Sequence, residues 1–596
     1  MRADMDVIHT PLAVTGDFGL DHWAYVVAPL IAYVAVVLGL AAAGSMPPES
    51  SGLVKLFFQL ISSTLRRITG FPGWAASTVM NGLFVLGLAV FGLYWDVAWH
   101  IDLGRDRELF TPPHTMIVLG LGGLVYSAVV AVIFASVDGA PVGLRLRAVR
   151  IPYSALALGA LGLGGLVAFP LDNLWHQAYG LDVTLWSPTH LQLVAGGGFA
   201  TVALWLFIAE SARDSRPNWF GHILHVVVAG ATLVAVTTFE GEFDFGVPQF
   251  QALYLPLLIS AAAGFALVVA RIALGPGGAL KALVAYLALR ISIALFVAGV
   301  LNHTVPRFPL YAAAALGVEV VAWRLGTRRR VRFGVISGLV VGTVGIGAES
   351  AWIILSGWLP SSPGLLLKTA LLAPVAAVAT ALIGASLGRA FSAGFEVPRR
   401  LLAVAGLALV AVCAYPLPRN AGSVSAVTRL QQHGELASVD IQLDPPDAAR
   451  DADALAIVAW QGGGRLSASL DEVGPGHYVS SRELPVTGGW KTVVSLQRGD
   501  EVMAAAIHLP PDPQIGAAAV PAVPQRHIVF QQNTRVLLRE VHDGPAWPAI
   551  LAYGGLGLLV AGWFALLAAA TVRARVESDA QPSTPAGERR LVPSAS

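Results

Sequence analysis

Two copies of one polar pattern stand 76 residues apart in an otherwise apolar chain: Asp96-x3-His100-x13-His114 and Asp172-x3-His176-x13-His190. Aligning them also pairs Trp99 with Trp175, Gly104 with Gly180, Asp106 with Asp182, Phe110 with Trp186, Thr111 with Ser187 and Pro112 with Pro188. Each copy offers two imidazoles and one carboxylate. That nitrogen-and-oxygen set suits Cu(II), Fe(II) or Zn(II), whereas Mg or Ca would want an all-oxygen shell. For any one of the six residues alone, the plainer reading is a solvated group at a helix end. A b-type haem held by two histidines is a further alternative, although it normally wants imidazoles facing one another deep between helices. Repetition of the whole set favours a metal.

The spacing names the elements that must position these donors. Asp96 and His100 are four residues apart and so share one helix face, as do Asp172 and His176. An Asp at a helix C-terminus is disfavoured by the macrodipole, and a bound cation would offset this. Thr111-Pro112 and Ser187-Pro188 predict an N-cap followed by proline at the first helical position. His114 and His190 then fall in the first turns of the next helices, and each triad converges at one end of a helical hairpin. Asp102, Asp106 and Asp182 are candidates to hold imidazole N–H groups from behind.

Of 596 residues, 55% are hydrophobic and 13% charged, against roughly 25% charged in a soluble domain. A helix needs about 20 apolar residues to cross a bilayer. About thirteen spans are predicted on that basis, at 22–44, 74–95, 114–136, 152–172, 189–210, 222–239, 251–272, 280–301, 308–325, 333–357, 364–388, 400–417 and 547–571. The predicted fold is therefore mainly α, a polytopic membrane bundle in contact with lipid. Lys and Arg gather in alternate loops, which predicts an outside N-terminus and a cytoplasmic C-terminus in a bacterial-type plasma membrane. The start MRADMDVIHT lacks a basic stretch leading into an apolar run, so no cleavable signal peptide is expected. A net charge of +1 with scattered basic residues gives no reason to expect nucleic-acid binding. Cys413 is the only cysteine, so any metal must use nitrogen and oxygen ligands.

The chain divides into an N-terminal span and loop (1–73), the paired hairpins (74–211), a further bundle (212–417), a polar outer domain with its linker (418–546), a last span (547–572) and a disordered cytoplasmic tail (573–596). In the polar domain, 438–443, 455–460 and 491–496 read as strands, with turns at 462–464 and 474–476, which predicts a small β-sandwich. Residues 513–525, rich in Pro and Ala, read as a linker. The segment from Gly476-His477-Tyr478 through Leu484-Pro485-Val486-Thr487-Gly488-Gly489-Trp490 resembles the YtkA-like sandwich appended to copper-resistance membrane proteins.

A second resemblance rests on the hairpins. Asp96-x-x-Trp99-His100, then Arg105-Asp106 and Phe110-Thr111-Pro112-Pro113-His114, is similar to the third subunit of the copper membrane monooxygenases, the particulate methane and ammonia monooxygenases. That subunit's next hairpin carries N-x3-H-x13-H, which resembles Asp172-x3-His176-x13-His190. The resemblance spans roughly 74–200 and implies copper at Asp96, His100 and His114, and at a neighbouring site using Asp172 and His176; the role of the family's match to His190 is less settled. One extra residue within Arg107-Glu108-Leu109 and Asp172 in place of the family's Asn are departures, the latter making the second site more anionic.

Other polar residues stand in apolar surroundings. Glu240, Glu242 and Asp244 in FEGEFDFGVPQF read first as a solvated turn, with an extension of the metal site or a cation funnel as alternatives. His303 lies just past the eighth span, Glu349 in the outer half of the tenth and Glu319 near mid-span. Intramembrane acids are functional candidates by default, yet each could equally be neutral and hydrogen-bonded to a neighbouring helix. His222 and His225 read as interfacial, and His477, His508, His527 and His542 as surface histidines. Two functions are expected to compete. One is a copper enzyme that oxidises a small apolar substrate with dioxygen, fed by a quinol or another electron donor and other membrane subunits. The other is copper handling, as transport or delivery, without oxygenase activity. A structural zinc clamp is a third reading, and no catalytic residue can be assigned.

Overall fold

Long apolar runs punctuated by Gly and Pro fold as helices α1 (Gly52–Thr69), α2 (Gly73–Asp102), α3 (Pro112–Val137), α4 (Tyr153–Tyr179), α5 (Pro188–Glu210) and α6 (Trp219–Thr237). A 3-10 turn at Thr238–Glu240 leads into the single turn α7 (Gly241–Asp244). There follow α8 (Tyr254–Ala273), α9 (Gly278–Leu295), α10 (Ala312–Leu325), α11 (Arg330–Val340), α12 (Ile346–Leu355), α13 (Pro363–Ala393) and α14 (Arg399–Cys413). After a β domain come α15 (Asn533–Leu537) and α16 (Ala546–Ala580). The computed structural model describes residues 52–104, 110–180, 184–359, 362–393, 399–413, 423–537, 539 and 544–580. The expected first span, Asp106, Asp182, His542 and the tail beyond 580 lie outside them.

Among the described residues, ten helices are long and apolar enough to cross a bilayer, and each overlaps an expected span. The stretch 308–325 contains a helix of only 14 residues, short of the roughly 20 that a full crossing needs, while within 400–417 the described residues end at Cys413. The last helix continues to Ala580, past the boundary expected at 572.

Glycines let the two hairpins close tightly. A Cβ on Gly120 of α3 would come 2.5 Å from the Cβ of Ala89 on α2, and one on Gly196 of α5 would come 2.8 Å from Cα of Gly165 on α4. Such backbone approach is how helices pack in lipid, where no hydrophobic drive pushes them together. The final helix returns to the same hairpins: Trp563 Nε1 donates to the Ala160 carbonyl at 3.2 Å, and Tyr553 OH donates to the Trp186 carbonyl at 3.0 Å.

A small hairpin, β1 (Leu144–Leu146) and β2 (Val149–Ile151), joins α3 to α4. The polar domain holds β3 (Ser425–His433), β4 (Leu436–Asp444), β5 (Ala454–Trp460), β6 (Arg465–Gly474), β7 (His477–Ser480), β8 (Leu484–Pro485), β9 (Lys491–Arg498), β10 (Glu501–His508), β11 (Gln525–Val529) and β12 (Gln531–Gln532). The three expected strands fall within β4, β5 and β9. In place of two stacked sheets there is one nearly closed sheet, ordered β11-β3-β4-β7-β6-β5-β9-β10-β12 with β8 beside β4. Strand β6 is the reason: its first half pairs with β5 and its second half with β7, so it ties together what would have been separate sheets. Residues 513–525 are not a free linker either. Leu509 and Val520 exchange backbone hydrogen bonds of 3.0 and 2.9 Å, which folds the stretch back on the domain before β11 begins.

Candidate metal centre

Both hairpins bring their donors together. Thr111 and Ser187 cap α3 and α5, each accepting from the backbone N–H of the histidine three residues on, at 3.4 and 3.3 Å, with Pro112 and Pro188 at the helix starts. His114 and His190 are thereby aimed from first turns at the ends of α2 and α4. Asp96 Oδ1 lies 3.2 Å from His114 Nε2 and 3.6 Å from His100 Nε2. Asp172 meets His176 Nε2 and His190 Nε2, each at 3.5 Å. In each set the three donor atoms lie within 4.8 Å of one another. Three donors about 2.1 Å from one tetrahedral ion would be spaced by about 3.4 Å, so only small adjustments would be needed.

The imidazole edges point the right way. His100 Nδ1 is hydrogen-bonded to the Gly104 carbonyl at 3.0 Å and His190 Nδ1 to the Thr184 carbonyl at 2.5 Å. A carbonyl can only accept, so it fixes the proton on Nδ1 and leaves Nε2 as the lone-pair donor facing the carboxylate. Asp96 Oδ1, apart from His114 Nε2 3.2 Å away, and His176 Nε2 are buried without a hydrogen-bond partner. Buried polar atoms without a hydrogen bond are costly, and a cation between the donors would satisfy both. The residues present therefore fit a transition ion at each set.

The two sets are neighbours. Phe169 of α4 packs its ring edge-on against His114 at 5.7 Å and lies 5.6 Å from the Phe110 ring. The field of His190 reaches Asp96, and those of His100 and His114 reach His176.

Several expectations are corrected. Asp102 does not back an imidazole of either triad. It accepts from the Thr304 backbone N–H at 2.7 Å and the Thr304 hydroxyl, and pairs with His303 Nδ1 at 3.0 Å. Two residues beyond His100 is about 200° around a helix, so its side chain leaves on the other side. Glu240, Glu242 and Asp244 are no solvated turn, being 0%, 5% and 1% exposed. Glu319 is not mid-span: it pairs with Arg271 at 2.8 Å and accepts from the Gly277 and Ala279 backbone N–H groups, capping α9. Because α10 is short, this residue reaches the α8–α9 turn. Glu349 likewise accepts from the Leu310 and Tyr311 N–H groups ahead of α10. His225 packs between Phe71 and Trp205. His477 pairs with Asp440 at 2.8 Å. His508 is no open surface group, and its partial burial pushes the imidazole's pKa down.

Two supports of the site had no spacing signature. Glu242 accepts from Thr184 Oγ1 at 2.5 Å, Leu185 N at 2.7 Å and Gln249 N at 3.0 Å, holding the loop whose carbonyl orients His190. The signal that could have found it was the cluster of acids in an apolar stretch. The β domain is the other: Gln461 donates through its backbone N to Ile101 O at 2.9 Å and through Nε2 to His100 O at 3.1 Å. Both carbonyls belong to the last turn of α2, where His100 O also accepts from Gly104 N at 3.2 Å, so this turn of the β domain caps the helix that carries Asp96 and His100.

Glu242→Ala should free the Thr184 loop and lower metal affinity at the Asp172 set by about 10–100-fold, leaving the Asp96 set unchanged. Competitive titration against a chelator measures this; equal weakening of both sets would count against the positioning role.

Comparison with protein-family models, curated proteins and solved structures finds no match to this chain.

Proposed function

We propose that this chain is an integral membrane protein that binds copper at its two Asp-His-His sets and uses it to oxidise a small apolar substrate with dioxygen. The observation that carries the reading is the convergence of both triads, with Nε2 of His100 and His190 left facing the carboxylates. Copper, zinc and iron all accept such donors; the resemblance of the hairpins to the copper membrane monooxygenases favours copper. When bound, copper would supply dioxygen activation at an open coordination position.

The chain's own residues supply the rest. Beside the triads lies a cavity of about 170 Å³ lined by Leu93, Ile117, Leu193, Val194 and Gly197 among others. Leu93 stands three residues before Asp96, Ile117 three after His114 and Leu193 three after His190, so the cavity lies about one helical turn from the donors. Its apolar walls suit a small apolar molecule entering from lipid. Inserting one oxygen atom while releasing the other as water requires two electrons and two protons, so a quinol-class or other reductant must act as partner.

A second reading is copper handling, favoured by the hydrogen bonds from Gln461 of the β domain to the helix that bears His100. Substrate-dependent oxygen uptake distinguishes the two. With ammonia or a small hydrocarbon and a quinol, the oxidising reading expects uptake that His100→Ala and His114→Ala abolish. No uptake, together with copper accumulation or tolerance that changes in the same variants, would replace it with handling. The reading extends to a plasma-membrane protein with the triads and β domain on the outer side.

A further inference from the structure

The face of the β domain turned toward the bundle covers a second cavity, of about 90 Å³, whose lining includes none of the triad residues. Its roof is one side of the sheet: alternate residues of β5 (Ala454, Ala456, Val458, Trp460) and of β9 (Val493, Ser495, Gln497) line it, as the two-residue period of strands requires. Its floor comes from the loop after α7 and from α8, α12 and α13. The helices on that side are lipid-facing in character, with Leu355 and Leu366 exposed at the same end.

Among the described residues, one cation faces this apolar space without an acid. Arg465, at the start of β6, lines the cavity, and its guanidinium lies against the backbone of Gly246, where a Cβ would come 2.5 Å from Cζ. Among the described residues Arg465 has no carboxylate partner, and its Nε is buried without a hydrogen bond. The nearby Lys368 contrasts with it, being paired with Asp453 at 2.6 Å. The charges that Arg465 feels are Arg307 and Arg482; burial first and these two cations second push its pKa down to about 10. A second polar group is stranded in the same wall. Asn533 is 2% exposed and lines the cavity, and neither its Oδ1 nor its Nδ2 has a partner. A half-buried guanidinium with a stranded Nε and a buried amide without partners are each unfavourable. An anion's oxygens would accept from the guanidinium and from Asn533 Nδ2, and only an apolar tail suits the remaining walls.

We infer that this cavity binds one anionic amphiphile, its head group paired with Arg465 and Asn533 and a single alkyl chain lying between the β domain and the bundle. The head group is a carboxylate or a phosphate, from a free fatty acid or a lysophospholipid respectively. Occupancy would cement the β domain onto the bundle, because roof and floor belong to the two parts.

The test uses the full chain purified in an uncharged maltoside detergent, followed by thermal unfolding with added dodecanoate, lauroyl lysophosphatidate or the uncharged dodecanol. A rise in the midpoint on the order of a few degrees is expected with at least one anionic ligand and none with dodecanol. A rise with dodecanoate alone identifies a fatty acid, and one with lysophosphatidate alone a phospholipid. Arg465→Met should remove the rise and Arg465→Lys should keep part of it. If Arg465→Met does not fold, Val458→Phe, which fills the cavity and leaves the cation in place, should remove the rise instead. An equal rise with dodecanol, no rise with either anion, or an undiminished rise in Arg465→Met or Val458→Phe overturns the inference.

Discussion

Copper-loaded protein is expected to hold two ions per chain, and Asp172→Ala is expected to hold one. Each triad has its own carboxylate between its own two imidazoles: Asp96 serves His100 and His114, while Asp172 serves His176 and His190. Asp172 is also held in place by Thr189 Oγ1, which donates to its Oδ1 at 2.6 Å. Removing the Asp172 carboxylate takes away one of three donors and the negative charge that favours a divalent ion, while the first set keeps all of its own. His114→Ala should show the converse, losing the first ion and keeping the second. Metal analysis after dialysis against a weak chelator reads both. Two ions retained in Asp172→Ala would mean that this carboxylate is no ligand. Loss of both would mean that the sets bind as one coupled centre, which their proximity makes a meaningful alternative.

The second large effect is expected away from the triads. Arg290 Nη2 lies 2.5 Å from Asp244 Oδ2, with the two side chains 1% and 0% exposed. Tyr94 OH donates to the same carboxylate oxygen at 2.9 Å, and the guanidinium lies 4.2 Å from the centre of the Tyr94 ring. Asp244→Ala leaves a guanidinium stranded inside the bundle and should destabilise the fold by about 3–5 kcal/mol. Asp244→Leu combined with Arg290→Met should recover most of that loss, because a buried pair is worth little more than well-packed apolar replacements. Denaturation of the parent and both variants in mixed detergent micelles measures this. A single variant within about 1 kcal/mol of the parent would show that water reaches the pair. Tyr94 stands two residues before Asp96, so the single variant should also loosen the first metal set more than the second.

The contrast between these two regions shows how far a chain can be read. The triads were legible because their partners are local: i,i+4 neighbours on one helix, and a capped first turn after a short loop, each governed by a few residues. Glu242 and Gln461 were not, since they act across 58 and 361 residues, through contacts to Thr184 and His100 that no periodicity encodes. Asp102 was misread for a related reason, because its partners His303 and Thr304 lie 201 and 202 residues away. The solvated reading of Glu240, Glu242 and Asp244 failed because three acids so close together look like a turn until distant parts of the chain supply Tyr311, Thr184 and Arg290 to receive them.

By itself the amino-acid order determined that the chain forms long apolar helices, that two hairpins repeat one donor set, and that β strands precede the final helix. Periodicity, capping and hydropathy act over a few residues, and the residues themselves carry that information. Only the tertiary structure decided that the two sets adjoin, that the sheet nearly closes on itself, and that its turn caps the helix of Asp96 and His100. It also decided that Arg290 finds an acid while Arg465, among the described residues, does not. Those outcomes depend on which distant surfaces meet, and a buried charge acquires its meaning only from what is packed against it.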